Sequence, residues 1–198
     1  YAMNWLGVNN TWGTVKNANV VSVTPTENGL CAVYETLYLR ITADRALCGD
    51  TYRETYTLEN RLEGDVFCNR GDFGIYAPFR DSYANAKICM TERCNTNIWC
   101  GRNTSYINAV KMGLCDFGLG LVLTEGSLDS YSVDRILHVV NSLGNLGSDD
   151  RGDFILHPTP FRLRPGEKIK LSWELFWYKD GHFREELEKR RDLILIDA

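Results

Sequence analysis

The hydrophobic positions of this chain repeat mostly with a period of two. In the clearest stretch, Ile169, Leu171, Trp173, Leu175 and Trp177 alternate with Lys168, Lys170, Ser172 and Glu174. Successive side chains of a strand point to opposite faces, so the pattern predicts a half-buried strand over 168–177, entered through the Pro165-Gly166 turn. A second run, 31–42, puts Val33, Leu37, Leu39 and Ile41 on one face and Tyr34, Thr36, Tyr38, Arg40 and Thr42 on the other. The Asn28-Gly29 dipeptide before it predicts a hairpin from a first strand over 14–23. Cys48-Gly49-Asp50 then turns the chain into a strand over 52–58. Shorter runs predict strands over 65–68, 86–91, 97–99, 105–112, 118–124, 154–157 and 161–163. The glycines and aspartates of 143–153 predict a loop. One helix is expected over 183–191, where Glu185 and Lys189, and Glu186 and Arg190, sit four apart.

These elements describe an all-β chain: a large two-sheet antiparallel β-sandwich with one C-terminal helix. Its 198 residues suffice for a single core. Residues 1–182 read as the sandwich domain. Residues 183–198 read as an exit helix and strand leading to a following domain, in keeping with a chain that opens on Tyr1 rather than Met. The apolar 193–196 reads either as a strand with partners elsewhere or as an addition to this sandwich's own edge.

Charge and cysteine content narrow the classes. The net charge is −4, with both signs dispersed and no basic block, so no nucleic-acid partner is expected. No apolar run reaches helical membrane-spanning length, and no signal peptide is visible, so no membrane partner is expected either. The seven cysteines, Cys31, Cys48, Cys68, Cys89, Cys94, Cys100 and Cys115, are odd in number and favour free thiols in a reducing, cytoplasmic setting. Cys89, Cys94 and Cys100 lack the tight pairing and nearby His of a zinc site, so no metal and no cofactor are expected. Nucleophile-elbow, phosphate-loop, HExxH and dinucleotide patterns are missing from the sequence, and the chain is not expected to be catalytic alone.

Candidate chemistry comes from particular positions. Arg93, Asn97 and Trp99 share one parity and would place an aromatic platform beside planar donors and acceptors, the surface a sugar ring favours. The alternative puts Trp99 in the core. Arg151, Asp153 and His157 cluster at a strand end and form a second candidate, with His157 as acid or base. Asp81 follows Pro78, which argues against a central strand and for a loop carboxylate. Glu54 shares the parity of Tyr56 and Leu58, so it either floors a cleft or pairs with an arginine. The echo of Asn69-Arg70-Gly71-Asp72-Phe73 in Asp150-Arg151-Gly152-Asp153-Phe154 reads as a repeated turn.

Taken together, 60–76 with its Gly71-Asp72-Phe73-Gly74-Ile75-Tyr76, the 93–99 patch, 119–126, 150–157 and the Pro165-Gly166-Glu167 turn into the Trp-rich strand resemble the N-terminal galactose-mutarotase-like β-supersandwich domains of multidomain carbohydrate-active enzymes. The resemblance spans nearly the whole chain in style. It implies a supersandwich-like fold, a carbohydrate partner and contact with a downstream domain of the same polypeptide. The role it implies is that of a non-catalytic accessory domain shaping the substrate cleft of a glycoside hydrolase or related enzyme. Mutarotases use a His and a carboxylate on the concave sheet, and those positions have no residue-by-residue match here. A stand-alone carbohydrate-binding module is one alternative. A mutarotase- or epimerase-like enzyme using His157 with Glu54 or Asp81 is another.

Overall fold

A computed structural model describes residues 8–10, 19–82, 94–111, 116–134 and 150–191. Their strands, in chain order, are β1 (Val8–Asn10), β2 (Asn19–Thr26), β3 (Gly29–Glu35), β4 (Leu39–Cys48), β5 (Thr51–Asn60), β6 (Val66–Cys68) and β7 (Phe73–Ser82). Then follow β8 (Cys94–Trp99), β9 (Tyr106–Lys111), β10 (Phe117–Glu125), β11 (Leu128–Asp134), β12 (Asp150–Pro158), β13 (Phe161–Leu163) and β14 (Lys168–Lys179). The described helix, α1, covers Phe183–Arg190. The chain is an all-β sandwich. An eight-stranded sheet runs β2-β3-β4-β5-β14-β10-β9-β8, a four-stranded sheet runs β1-β7-β12-β11, and β13 pairs with β6 in a small third sheet.

The core lies between the sheets. Ile41, Tyr56, Leu58, Ile107, Leu121, Leu123, Leu171 and Trp173 of the large sheet pack with Phe73, Ile75 and Leu156 of the smaller one and with Val66, Cys68 and Leu163 of the third. The odd residues of β14 from Ile169 to Leu175 supply this face, as their alternation predicts, whereas Trp177, of the same parity, is exposed near the strand's end. Its even residues Phe176 and Tyr178 face the other way and are covered by α1 through Phe183 and Leu187. Two glycines on β10 make that packing possible. Gly118 and Gly120 stand opposite Tyr178 and Phe176, and a Cβ would meet the Tyr178 ring at 2.1 Å or the Phe176 ring at 2.4 Å. The rings therefore lie over bare backbone. Phe183 stacks on Phe176 at 6.3 Å between centroids, and the Arg190 guanidinium sits 4.1 Å from the Phe176 centroid.

Several expectations need correction. The run 31–42 is two strands, not one. The Thr36 hydroxyl accepts from the Leu39 N–H at 2.8 Å and from the Tyr38 N–H at 3.1 Å, closing a turn between β3 and β4. The turn resets the phase, so Tyr34 is buried with Leu39 and Ile41 while Leu37 is exposed. The strand expected over 14–23 corresponds to β2, which runs Asn19–Thr26, with 14–18 outside the described residues, and the short β1 before it was not expected. Strands β7 and β11 were not expected, and β12 begins at Asp150, inside the stretch predicted as loop. Pro78 therefore lies within a strand that has neighbours on both sides. It sits where the β7–β12 register shifts, between Arg80 and Tyr76, so no regular ladder with β12 demands its missing N–H. The predicted strand 86–91 and the tail 193–196 lie outside the described residues.

Candidate functional site

The register of the large sheet brings Arg45, Glu54 and Trp173 into one row across β4, β5 and β14. All three point into the sandwich, and Arg45 and Glu54 are each 1% exposed. Arg45 Nε donates to Glu54 Oε1 at 3.0 Å, and Trp173 Nε1 donates to Glu54 Oε2 at 2.7 Å. Arg45 Nη2 donates to the Tyr56 hydroxyl at 3.1 Å, with the guanidinium 5.4 Å from the Tyr56 ring centroid. Ser172, facing the opposite way, donates to the Glu54 backbone carbonyl at 3.1 Å. Burial pushes the Glu54 carboxyl above the usual carboxylate range, while Arg45, Trp173 and Tyr56 pull it back. Burial, reinforced by the neighbouring Glu54 charge, holds the Tyr56 phenol well above its ordinary value. Both carboxylate oxygens are engaged and the row is closed to solvent. Of the two readings of Glu54, the arginine pair is the one observed. Such a network specifies how β4, β5 and β14 align, since a buried carboxylate needs its donors in place.

His157 is also buried, with Nδ1 2.8 Å from the Phe73 carbonyl oxygen. It lies on the face of the four-stranded sheet that carries Gly74, where a Cβ would meet its Nδ1 at 2.9 Å. Phe73 and Ile75, on the opposite face, join the core with the Glu54 side of the large sheet. The smaller sheet thus separates His157 from Glu54, and the two do not share a cleft. Asp81 lies on β7, in a strand rather than a loop. Arg151 and Asp153 lie on β12, where Asp153 stands opposite Arg80 of β7.

Asn97 and Trp99 lie on β8, the last strand of the large sheet. Ile98, opposite Ile107, packs toward the core, so Asn97 and Trp99 share the outward face with Tyr106 and Asn108. Trp99 is 56% exposed. Its indole lies over Gly101, where a Cβ would come within 2.2 Å of Nε1. The parity expected for Asn97 and Trp99 therefore holds, and the alternative that buries Trp99 does not. Arg93, the third member, lies outside the described residues.

A further cleft, of about 390 Å³, opens beside the small β6–β13 sheet and is lined by Tyr38, Asp65, Phe67, Asn69 and Asp72. The sequence reading did not single out Tyr38 or Phe67. The Asn69–Asp72 turn, noticed as an echo, was the available signal.

Among the described residues, no group of three or more His, Cys, Asp or Glu side chains is placed to hold a metal ion, and no helix is long and apolar enough to cross a membrane. No protein-family model matches the chain, and no curated protein matches it by sequence. Among solved structures, a polysaccharide lyase matches 93% of this chain and 27% of its own, with 28% identity and a TM-score of 0.73. The chain thus spans about a quarter of that protein's length. Looser likenesses reach a candidate aldose 1-epimerase from Escherichia coli K12 (14% identity, 83% of this chain and 69% of that one, TM-score 0.47). Another is the α-galactosidase from Lactobacillus brevis (11% identity, 88% and 29%, TM-score 0.47). The chain is therefore similar in fold to one section of a polysaccharide lyase.

Proposed function

We propose that this chain is a non-catalytic β-sandwich domain of a larger carbohydrate-active enzyme, packing beside a catalytic domain and helping to shape its sugar cleft. One observation carries the reading: the polysaccharide lyase match takes in nearly all of this chain but only 27% of that protein, at 28% identity. The buried Arg45–Glu54–Trp173 row and the separation of His157 from Glu54 support it, because that carboxylate and that base do not converge on open space. Residues 183–198 would then lead toward the next domain.

The test is activity with and without neighbours. The isolated chain should neither interconvert galactose anomers in polarimetry nor release reducing ends from polysaccharides. A longer polypeptide containing it should cleave polysaccharide and lose most of that activity when this domain is deleted. Anomer interconversion by the isolated chain would overturn the reading in favour of an epimerase.

The exposure of Trp99 beside Asn97 favours a second reading, a carbohydrate-binding module that works without a partner domain. A glycan array on the chain and on Trp99→Ala separates the two. Binding by the parent chain that is lost in the variant supports the module, and no binding by either supports the scaffold.

A further inference from the structure

The cleft of about 390 Å³ beside the β6–β13 sheet lies apart from both the buried row and the β8 edge. Val66, buried, forms its floor, and Tyr38, Asp65, Phe67, Asn69 and Asp72 form its walls. Phe67 is 62% exposed. It faces outward because Val66 and Cys68, its neighbours on β6, face the core. A cleft of this size is in the range that holds a small-molecule ligand.

Its walls are ordered in advance. Asn60, buried at the end of β5, donates through Nδ2 to the carbonyls of Gly64 at 2.8 Å and Leu163 at 3.0 Å. Its Oδ1 accepts from the Leu62 N–H at 2.8 Å, so one side chain fixes the whole β5–β6 connection. Arg162, opposite Phe67 on β13, holds Asp65 Oδ2 through Nε at 2.7 Å and through Nη2. The same guanidinium lies 5.5 Å from the Phe67 ring centroid. On the far wall, Asp72 Oδ2 accepts from the Asn69 N–H at 2.9 Å, across a turn that Gly71 completes at φ +78°.

We propose that this cleft is a binding subsite for a neutral hexose oligosaccharide; the inference rests on the carbohydrate reading above and names the sugar class. An exposed aromatic ring offers a surface for the C–H face of a pyranose. Around it stand groups that sugar hydroxyls pair with: two carboxylates, a side-chain amide and a phenol. Among the described residues the lining carries two carboxylates and no Lys or Arg; Arg162, beside it, is offset by Asp65, so the balance of charge is negative through Asp72. A sugar with its own carboxylate or sulfate therefore meets like charge, whereas a neutral sugar donates its hydroxyl hydrogens to the same groups.

The experiment is a two-dimensional amide NMR titration of the 198-residue chain with cellopentaose, mannopentaose and galactopentaose, and with tetragalacturonate as the charged control. One neutral sugar should shift Tyr38 and residues 62–72, and the uronate should leave them unmoved. Phe67→Ala should weaken binding by roughly tenfold or more, and Phe67→Trp should restore it. Because Phe67 is exposed, both variants should keep the parent amide spectrum elsewhere. The proposal fails if shifts fall only outside these residues, if the uronate binds as tightly, if Phe67→Ala binds like the parent, or if none of the three neutral sugars binds. Each of those results leaves the accessory-domain reading to its own deletion assay.

Discussion

The large sheet uses the same kinds of side chain in two opposite ways. In its centre, Arg45, Glu54 and Trp173 form a closed row facing the core. At its β8 edge, Asn97 and Trp99 face outward with little to cover them. An indole N–H is committed to a carboxylate in the first region, whereas the second indole merely rests on Gly101. The difference lies in neighbours rather than in residue type. A central strand is covered on its inner face by the opposing sheet, so a polar group there must be paired. An edge strand carries no such requirement, and its polar and aromatic groups remain available to a partner.

The sharpest way to break this comparison is to open the central row. Arg45→Met removes the cation that the row supplies to Glu54, leaving a buried carboxylate with only the neutral donors of Trp173 and Tyr56. The expected loss of stability at neutral pH is about 3–5 kcal/mol. The variant should also respond more strongly to pH. In the parent, burial already holds the folded Glu54 carboxyl above its ordinary value, and without Arg45 it is pushed further up. The folded state then binds more protons than the unfolded state, so the contribution is intact below the unfolded value of about 4.3 and is lost as pH rises through the folded one. Urea unfolding at acidic and at slightly basic pH measures this. A loss that is equal at both, or below about 1 kcal/mol, would show that the row is no structural pair. Arg45→Met combined with Glu54→Leu should recover much of the loss, because it removes both charges together.

The outer face of the same central strands gives an intermediate case. Gly120→Ala would place a Cβ 2.4 Å from the Phe176 ring. That ring is 1% exposed and held between Phe183 and the Arg190 guanidinium, so it has nowhere to go. The expected cost is about 1–3 kcal/mol, typical of overpacking a filled site, with α1 loosened first. Thermal unfolding by circular dichroism reports the loss, and hydrogen exchange at Leu187 reports where it acts. An unchanged transition would mean that α1 does not depend on the ring seats of β10.

How much of this was legible in the sequence depends on whether the information was local. The alternation from Ile169 to Leu175 announced β14 and its buried face, because period and composition agreed, whereas Trp177 keeps the parity but is exposed. The shared face of Asn97 and Trp99 followed from parity alone. The Thr36 turn was hidden because Leu37 happens to keep the apparent phase, and a side-chain hydroxyl rather than a Gly or Pro makes the bend. The partner of Glu54 was equally hidden: Arg45 lies across a hairpin register, and register is a property of pairing, not of either strand. The Phe67 cleft is assembled from the β3–β4, β5–β6 and β6–β7 segments; its Asn69–Asp72 turn shows as a local echo, whereas the approach of Tyr38 depends on the fold.

The smallest expected effect returns to the edge. At Gly101 an added Cβ would come within 2.2 Å of Trp99 Nε1, as close in distance as the clash at Gly120. Here the neighbours are an exposed indole that can swing into solvent and, at 2.6 Å, the hydroxyl of exposed Thr104, which can rotate away at the loss of one surface hydrogen bond. Gly101→Ala should therefore change stability by no more than about 1 kcal/mol. Its signature should instead be optical. The indole loses its seat on the glycine, and the Trp99 fluorescence, taken as the difference between each protein and its Trp99→Ala counterpart, should shift toward that of a fully hydrated tryptophan. If sugar binds at Asn97 and Trp99, the same substitution should weaken it by displacing the platform while leaving the fold intact. A stability loss comparable with that of Gly120→Ala would mean that the edge is as tightly packed as the centre, and the distinction between a closed row and an open edge would fail.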